Sequence, residues 1–253
     1  MFTRAIVREV SKKYEQGLTT SSLGAPNYEL ARQQHADYIE ALKSCGLDVT
    51  VLPADERYPD STFVEDPAIV TSRFAIINNL GATTRKGEEV DIAAALRTHY
   101  ENIEYIREPG TVEGGDILHI EDHFYIGVSS RTNENGAAQL QALFAKYDYE
   151  STLVPVQQFF HLKTGVTWLG NNRIVATGEF VNHPAFANFE LIMVDKKEEY
   201  ATNCLRINQH VLIPRGFSKT RQRILDAGYT IIELDMSEFQ KQDGGLTCLS
   251  LRF

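Results

Sequence analysis

The sequence is short of cysteine, of basic charge and of long apolar runs, and each shortage closes off a class of protein. Its three cysteines, Cys45, Cys204 and Cys248, are odd in number and far apart. They do not make the disulfide framework that staples small secreted domains. Lys and Arg total 25 against 34 Asp and Glu, a formal net charge of -9. Tracking phosphates needs an excess of cations, so nucleic acid is not an expected partner. No stretch approaches the ~20 apolar residues of a membrane span. The segment from Met1 to Glu9 carries no long apolar run of the leader type. A soluble, cytoplasmic protein with no membrane contact is therefore expected. A linker is lacking too: the 8 prolines and 17 glycines are scattered. Residues 1–253 read as a single domain.

What is present suffices for a sizeable core, with 43% apolar and 10% aromatic residues. Helix and strand signals alternate, which points to an α/β protein. Helices are expected over Tyr28 to Cys45, Val90 to Tyr100, Asn133 to Tyr147 and Ser218 to Ala227. Strands are expected over Leu47 to Leu52, around Ile69 and Ala75 to Ile77, over Ile103 to Ile106, Arg173 to Thr177, Gln209 to Pro214 and Tyr229 to Leu234. Asp116 to Val128 reads as a hairpin, and Gly17 to Gly24 as a mobile surface loop.

The alternation has a period. Glu113 follows Glu65 by 48 positions, and His161 follows Glu113 by another 48. Cys204 comes 43 later and Cys248 a further 44. Five similar units thus fit in 253 residues. Closed into a ring, they would bring equivalent loops toward one axis and make distant residues neighbours.

Those loops carry chemistry. Cys248 follows Gly244-Gly245, a context that permits a tight turn and close approach of a substrate. It is the candidate nucleophile, whereas Cys45 and Cys204 read as small buried hydrophobes. His161, flanked by Phe159 and Phe160, is the candidate proton donor and acceptor. Glu113 and Asp116 flank two glycines, and Glu65 and Asp66 form a second acidic pair. Carboxylates set around a planar guanidinium match its fixed N–H directions, so a small cationic substrate is expected. A non-catalytic zinc site built on Cys248, His161 and a carboxylate is the rival from another class. Its three ligands are allowed, but the short paired spacing of structural zinc sites is missing.

Taken together, Phe63-Val64-Glu65-Asp66, Glu113-Gly114-Gly115-Asp116, His161-Leu162-Lys163 and Asp243-Gly244-Gly245-Leu246-Thr247-Cys248 resemble the dimethylarginine dimethylaminohydrolases, of the guanidino-modifying pentein superfamily. Ser129 to Asn133 and Leu52 to Glu56 resemble that family too, and the likeness runs the length of the chain. It implies a five-bladed α/β propeller of ββαβ units with pseudo-fivefold symmetry. It implies hydrolysis of an Nω-methylated arginine to citrulline and an alkylamine, through an S-alkylthiouronium on Cys248. By the same resemblance His161 is general acid and base, and Glu113 orients it. Asp66, supported by Glu65, holds the guanidinium nitrogens. Arg85 and Arg131 bind the substrate carboxylate, and Asp60 with the Leu18 backbone binds the α-amino group. No metal or organic cofactor is called for, and a second copy of the chain is the one macromolecular partner considered. The nearest rivals are arginine deiminase, agmatine deiminase, amidinotransferase and a citrulline hydrolase, which the released product separates.

Overall fold

The structure is a computed structural model that describes residues 1–253. It contains five three-stranded sheets. Strand β1 (Arg4–Arg8) is central in the first, between β2 (Asp48–Leu52) and β15 (Leu251–Arg252). The second holds β3 (Ala68–Val70), β4 (Ala75–Ile77) and β5 (Ile103–Tyr105). The third holds β6 (Ile117–Ile120), β7 (His123–Val128) and β8 (Glu150–Pro155). The fourth holds β9 (Val166–Gly170), β10 (Arg173–Ala176) and β11 (Glu190–Met193). The fifth holds β12 (Leu205–Ile207), β13 (His210–Pro214) and β14 (Thr230–Leu234).

Every sheet has the same logic. The middle strand pairs antiparallel on one side and parallel on the other. A parallel neighbour needs a crossover. Helices supply it in four sheets: α1 (Tyr28–Ser44), α2 (Glu89–Leu96), α3 (Glu134–Lys146) and, in the fifth, a helix over Ser218–Asp226. Between α3 and that helix lies the single turn α4 (Leu162–Gly165), so Ser218–Asp226 is α5, and α6 (Ser237–Gln240) is another single turn. Asparagines start two of the long helices: Asn27 accepts from the Leu30 amide and Asn133 from the Gly136 amide.

The fourth unit departs from the ββαβ expectation. Its crossover is made of two 3-10 turns, Gly178–Phe180 and Pro184–Phe186. Pro184 would fall inside any helix spanning this crossover, where it lacks the needed N–H and clashes with the preceding turn. Phe180 and Phe186 supply the buried surface that a helix supplies elsewhere. The second helix is also shorter than expected, ending at Leu96 with its last residues in turns.

The apolar interior is divided into five clusters, each between two successive sheets. The middle strands feed both neighbours by alternation: Ala5 and Val7 enter one cluster and Ile6 another. Ile174 and Ala176 enter one cluster and Val175 the next. A strand buried on both faces reads as a continuous apolar run, as β4 and β13 do. The pairing of Ala5 with Arg252 and Ile6 with Leu251 brings the two ends of the chain into one sheet. No helix is long and apolar enough to cross a membrane.

Candidate active site

The loops that precede or follow the sheets converge on a small cleft of about 30 Å³. It is bordered by Cys248, His161, Asp66 and Arg131, with Asp60 and Leu18 at its edge. Residues from four of the five units therefore meet there, although up to 230 positions separate Leu18 from Cys248 along the chain.

Cys248 lies in a 3-10 turn, Thr247–Leu249, just before β15. It is partly accessible, while Cys45 and Cys204 are buried. The Gly245 amide approaches its Sγ at 3.5 Å. Burial, then the nearby charges of Glu65 and Asp66, pushes the Cys248 thiol up to about 12. The unliganded site therefore holds a neutral thiol.

His161 is the residue before α4, and it is 5% exposed. Its Nε2 lies 2.9 Å from Oε2 of Glu113. Burial alone would lower the imidazole. The charges of Asp116, Asp66 and Glu113, with the Glu113 hydrogen bond, outweigh it and raise His161 to about 9. Glu113 shows the converse: burial would raise it, but His161 and the Arg85 and Arg131 charges hold it at about 2. The pair is thus an imidazolium on a carboxylate near neutral pH. Gly115 is required beside it, because a Cβ there would lie 2.4 Å from Nδ1 of His161.

Asp66 is fixed on both oxygens. Oδ1 accepts from the Gly115 amide at 3.0 Å and Oδ2 from Nη1 of Arg85 at 2.7 Å. Arg85 is nearly saturated: its Nε donates to Glu88, and Nη2 to Glu88 and the Phe63 carbonyl. A guanidinium has five N–H donors, so one Nη1 hydrogen of Arg85 is left for the cleft. Arg131 is freer. It lies 3.7 Å from Glu113 and 4.7 Å from the centre of the Phe160 ring. Asp60 accepts the Leu18 amide on both oxygens at 3.1 Å, so the Leu18 carbonyl is the group left for a ligand.

Glu65, expected to support Asp66, borders a larger cavity rather than this cleft. Its carboxylate accepts from Lys163 at 2.6 Å, Arg252 at 3.1 Å and Thr247 at 2.8 Å. Its amide donates to the Cys248 carbonyl. It braces the cysteine loop, and its charge acts on the Cys248 thiol together with that of Asp66. Beyond it lies a much larger cavity of about 510 Å³, bordered by Glu65, Lys163, Trp168, Arg206 and Arg252. Size alone would place a ligand there. The reactive groups are on the other side.

Three residues of the site escaped the sequence reading in these roles. Glu88 clamps Arg85, and only its i,i+3 spacing hinted at that. Asp116 is fully buried and holds the His161 loop through the Leu162 amide and Ser129. Asn203 links two loops: its Nδ2 donates to the Lys163 carbonyl and to Oγ1 of Thr247, and its Oδ1 accepts the Thr247 amide. It lies one position from Cys204, where the repeat pointed without naming it.

Fold and site together define an α/β protein of five repeated units with a thiol–imidazole–carboxylate centre. The family model described as "N,N dimethylarginine dimethylhydrolase, eukaryotic" matches residues 24–251. A dimethylarginine dimethylaminohydrolase of Pseudomonas aeruginosa is 46% identical, over all of both chains. Its Streptomyces coelicolor counterpart is 33% identical over 98% of this chain and 96% of that one. A solved Pseudomonas aeruginosa structure, a cysteine-to-serine variant complexed with citrulline, superposes with a TM-score of 0.99 at 46% identity, covering both chains fully. The arginine dihydrolase domain of ArgZ shares the fold, with a TM-score of 0.90 at 18% identity over 100% of this chain and 97% of that one. The chain belongs to the dimethylarginine dimethylaminohydrolase family.

Proposed function

We propose that the protein hydrolyses Nω-methylated arginine to citrulline and an alkylamine, with Cys248 as nucleophile. The observation that carries this is one cleft holding an accessible thiol, an imidazolium fixed by Glu113, and the carboxylate of Asp66. Relatives solved with citrulline and as an S-methyl-L-thiocitrulline adduct support the reading.

The electrostatics suggest the order of events. Without ligand, the Asp66 charge helps keep Cys248 protonated. A guanidinium on Asp66 cancels that charge and puts a cation beside the sulfur. The thiol then loses its proton to solvent, and the thiolate attacks the guanidinium carbon. As the C–N bond breaks, the His161 imidazolium gives its proton to the departing nitrogen. Water attacks the thiouronium carbon, passes a proton to His161, and the C–S bond breaks to release citrulline. Asp60, the Leu18 carbonyl, Arg131 and the spare Arg85 hydrogen suit the α-amino and α-carboxylate groups.

The closed five-bladed propeller and the single catalytic domain belong to the same reading. The five interfacial clusters and the β1–β15 pairing support both. A metal reading is weaker. Ligand atoms of Asp66, Glu113 and His161 lie within 4.8 Å of one another. Both carboxylates, however, already accept from Arg85, Gly115, Ala82 or His161, and a cation would have to displace those donors.

The test is to incubate the protein separately with arginine, monomethylarginine, asymmetric dimethylarginine, agmatine and citrulline. Citrulline with methylamine or dimethylamine is expected. Ammonia from arginine as the main product would make it a deiminase, and no product from any of them would end the hydrolase reading.

A further inference from the structure

A second cavity of about 30 Å³ lies against the same thiol and imidazole. His161, Asp243 and Cys248 border both cavities. Asp60, Arg85, Arg131 and Leu18 border only the first, and Thr164, Tyr200, Asn203 and Gly245 only the second. The two are therefore arranged in series, with the reactive pair between them.

We infer that the second cavity receives the alkylamine as it leaves, then the hydrolytic water, and that Thr164 limits the size of the alkyl group. This rests on the proposed hydrolysis of methylarginine. With its amino-acid end among Asp60, Arg85 and Arg131 and its guanidinium carbon at Sγ, the substrate directs its far nitrogen into the second cavity. His161 borders that space, so one imidazole can protonate the departing nitrogen and later accept the proton of a water that takes its place. The volume suits this use, since a water needs ~10–15 Å³ of such space. It holds roughly two waters, or the few heavy atoms of a dimethylamine.

The walls are built to keep this space. A Cβ on Gly245 would lie 2.5 Å from Oδ1 and Cγ of Asn203, and one on Gly115 would strike the His161 ring. Either side chain would force a shift in its neighbour, and both neighbours border the cavity. Asn203 is immobilised by Thr247 and the Lys163 carbonyl, and the Tyr200 hydroxyl by the Gly244 carbonyl at 2.8 Å. Thr164 is only half-buried and its backbone amide bonds the His161 carbonyl. Among the bordering residues it is one whose size can change with little disturbance to the core.

The experiment compares the wild type with T164L and T164A on monomethyl-, dimethyl- and Nω-propylarginine, following citrulline and each released amine. T164L should depress kcat/KM for dimethylarginine relative to monomethylarginine by ~10-fold or more, the scale of a carbon or two in a tight site. T164A should raise propylarginine relative to monomethylarginine. If T164L does not fold, the T164A ratio alone decides. An active wild type whose propyl- to monomethylarginine ratio is unchanged in T164A overturns this inference and leaves the hydrolase reading standing. A wild type that releases no alkylamine from any methylarginine overturns both.

Discussion

The two sides of Glu65 make a useful contrast. On one side is a cavity of about 510 Å³, and on the other a cleft of about 30 Å³. The large one has mixed apolar and charged walls and an unpartnered indole N–H on Trp168. The small one has the thiol, the imidazolium and Asp66. Neighbours in sequence divide between them: Glu65 borders the first and Asp66 the second, and Thr247 and Cys248 split in a similar way. Volume therefore does not locate reactivity here. Charge that converges on a partly accessible nucleophile does, and the Glu65–Lys163–Arg252 network separates it from the larger space.

The strongest way to break that contrast is to remove the sulfur. Cys248→Ser should lower turnover by ~10⁴-fold or more, while citrulline still binds by calorimetry. Undiminished citrulline release would move the chemistry out of the small cleft. Next comes Glu113→Gln, which removes the charge that holds the imidazolium. A loss of ~10²–10⁴ in kcat is expected, the usual worth of a positioned acid–base; a change confined to KM would count against the role.

Arg85→Ala strips the buried partner from Asp66 and Glu88. It should cost ~3–5 kcal/mol by denaturant unfolding and raise KM by a larger factor than it lowers kcat. An unchanged KM would take Arg85 out of ligand binding.

The Glu113–His161 pair also predicts how stability follows pH. His161 is raised to about 9, so its contribution is full below the ordinary 6.5 and is lost as pH rises through 9. Glu113 is lowered to about 2, so its contribution is full above the ordinary 4.5 and is lost as pH falls toward 2. The pair thus stabilises most between about 4.5 and 6.5. The Tm of Glu113→Gln should fall less than the wild type's between pH 7 and 9. Parallel curves would refute the assignment.

The smallest effect belongs to the far side. Trp168→Phe deletes a buried donor with no partner, so stability should hold or rise slightly, and kcat/KM should stay within ~2-fold, as for changes remote from a site. A large loss of activity would show that the two cavities are coupled.

The sequence displayed much of this and hid some of it for identifiable reasons. Long amphipathic segments were legible: the third helix runs over Glu134–Lys146 where Asn133 to Tyr147 was expected. The hairpin of Asp116 to Val128 appears as β6 and β7. Short strands such as β12 and β15 span three and two residues, too few to show a period by themselves. The missing helix of the fourth unit was masked because the repeat spacing is kept there by two short turns. At the site, Glu113, His161 and Cys248 do gather, as the repeat suggested, with Asp66 beside them. The role of Glu65 was not readable, because its partners Lys163, Thr247 and Arg252 are distant in the chain.

By itself the sequence determined the repeating units, the reactive residue types and the spacing that returns them to equivalent loops. Those follow from local preference and periodicity, which act along the chain. Tertiary structure decided which of two adjacent carboxylates borders the cleft, that His161 carries a proton at neutral pH, and that the unliganded Cys248 thiol does too. These depend on burial and on charges brought within a few ångströms by folding, and neither exists in an extended chain.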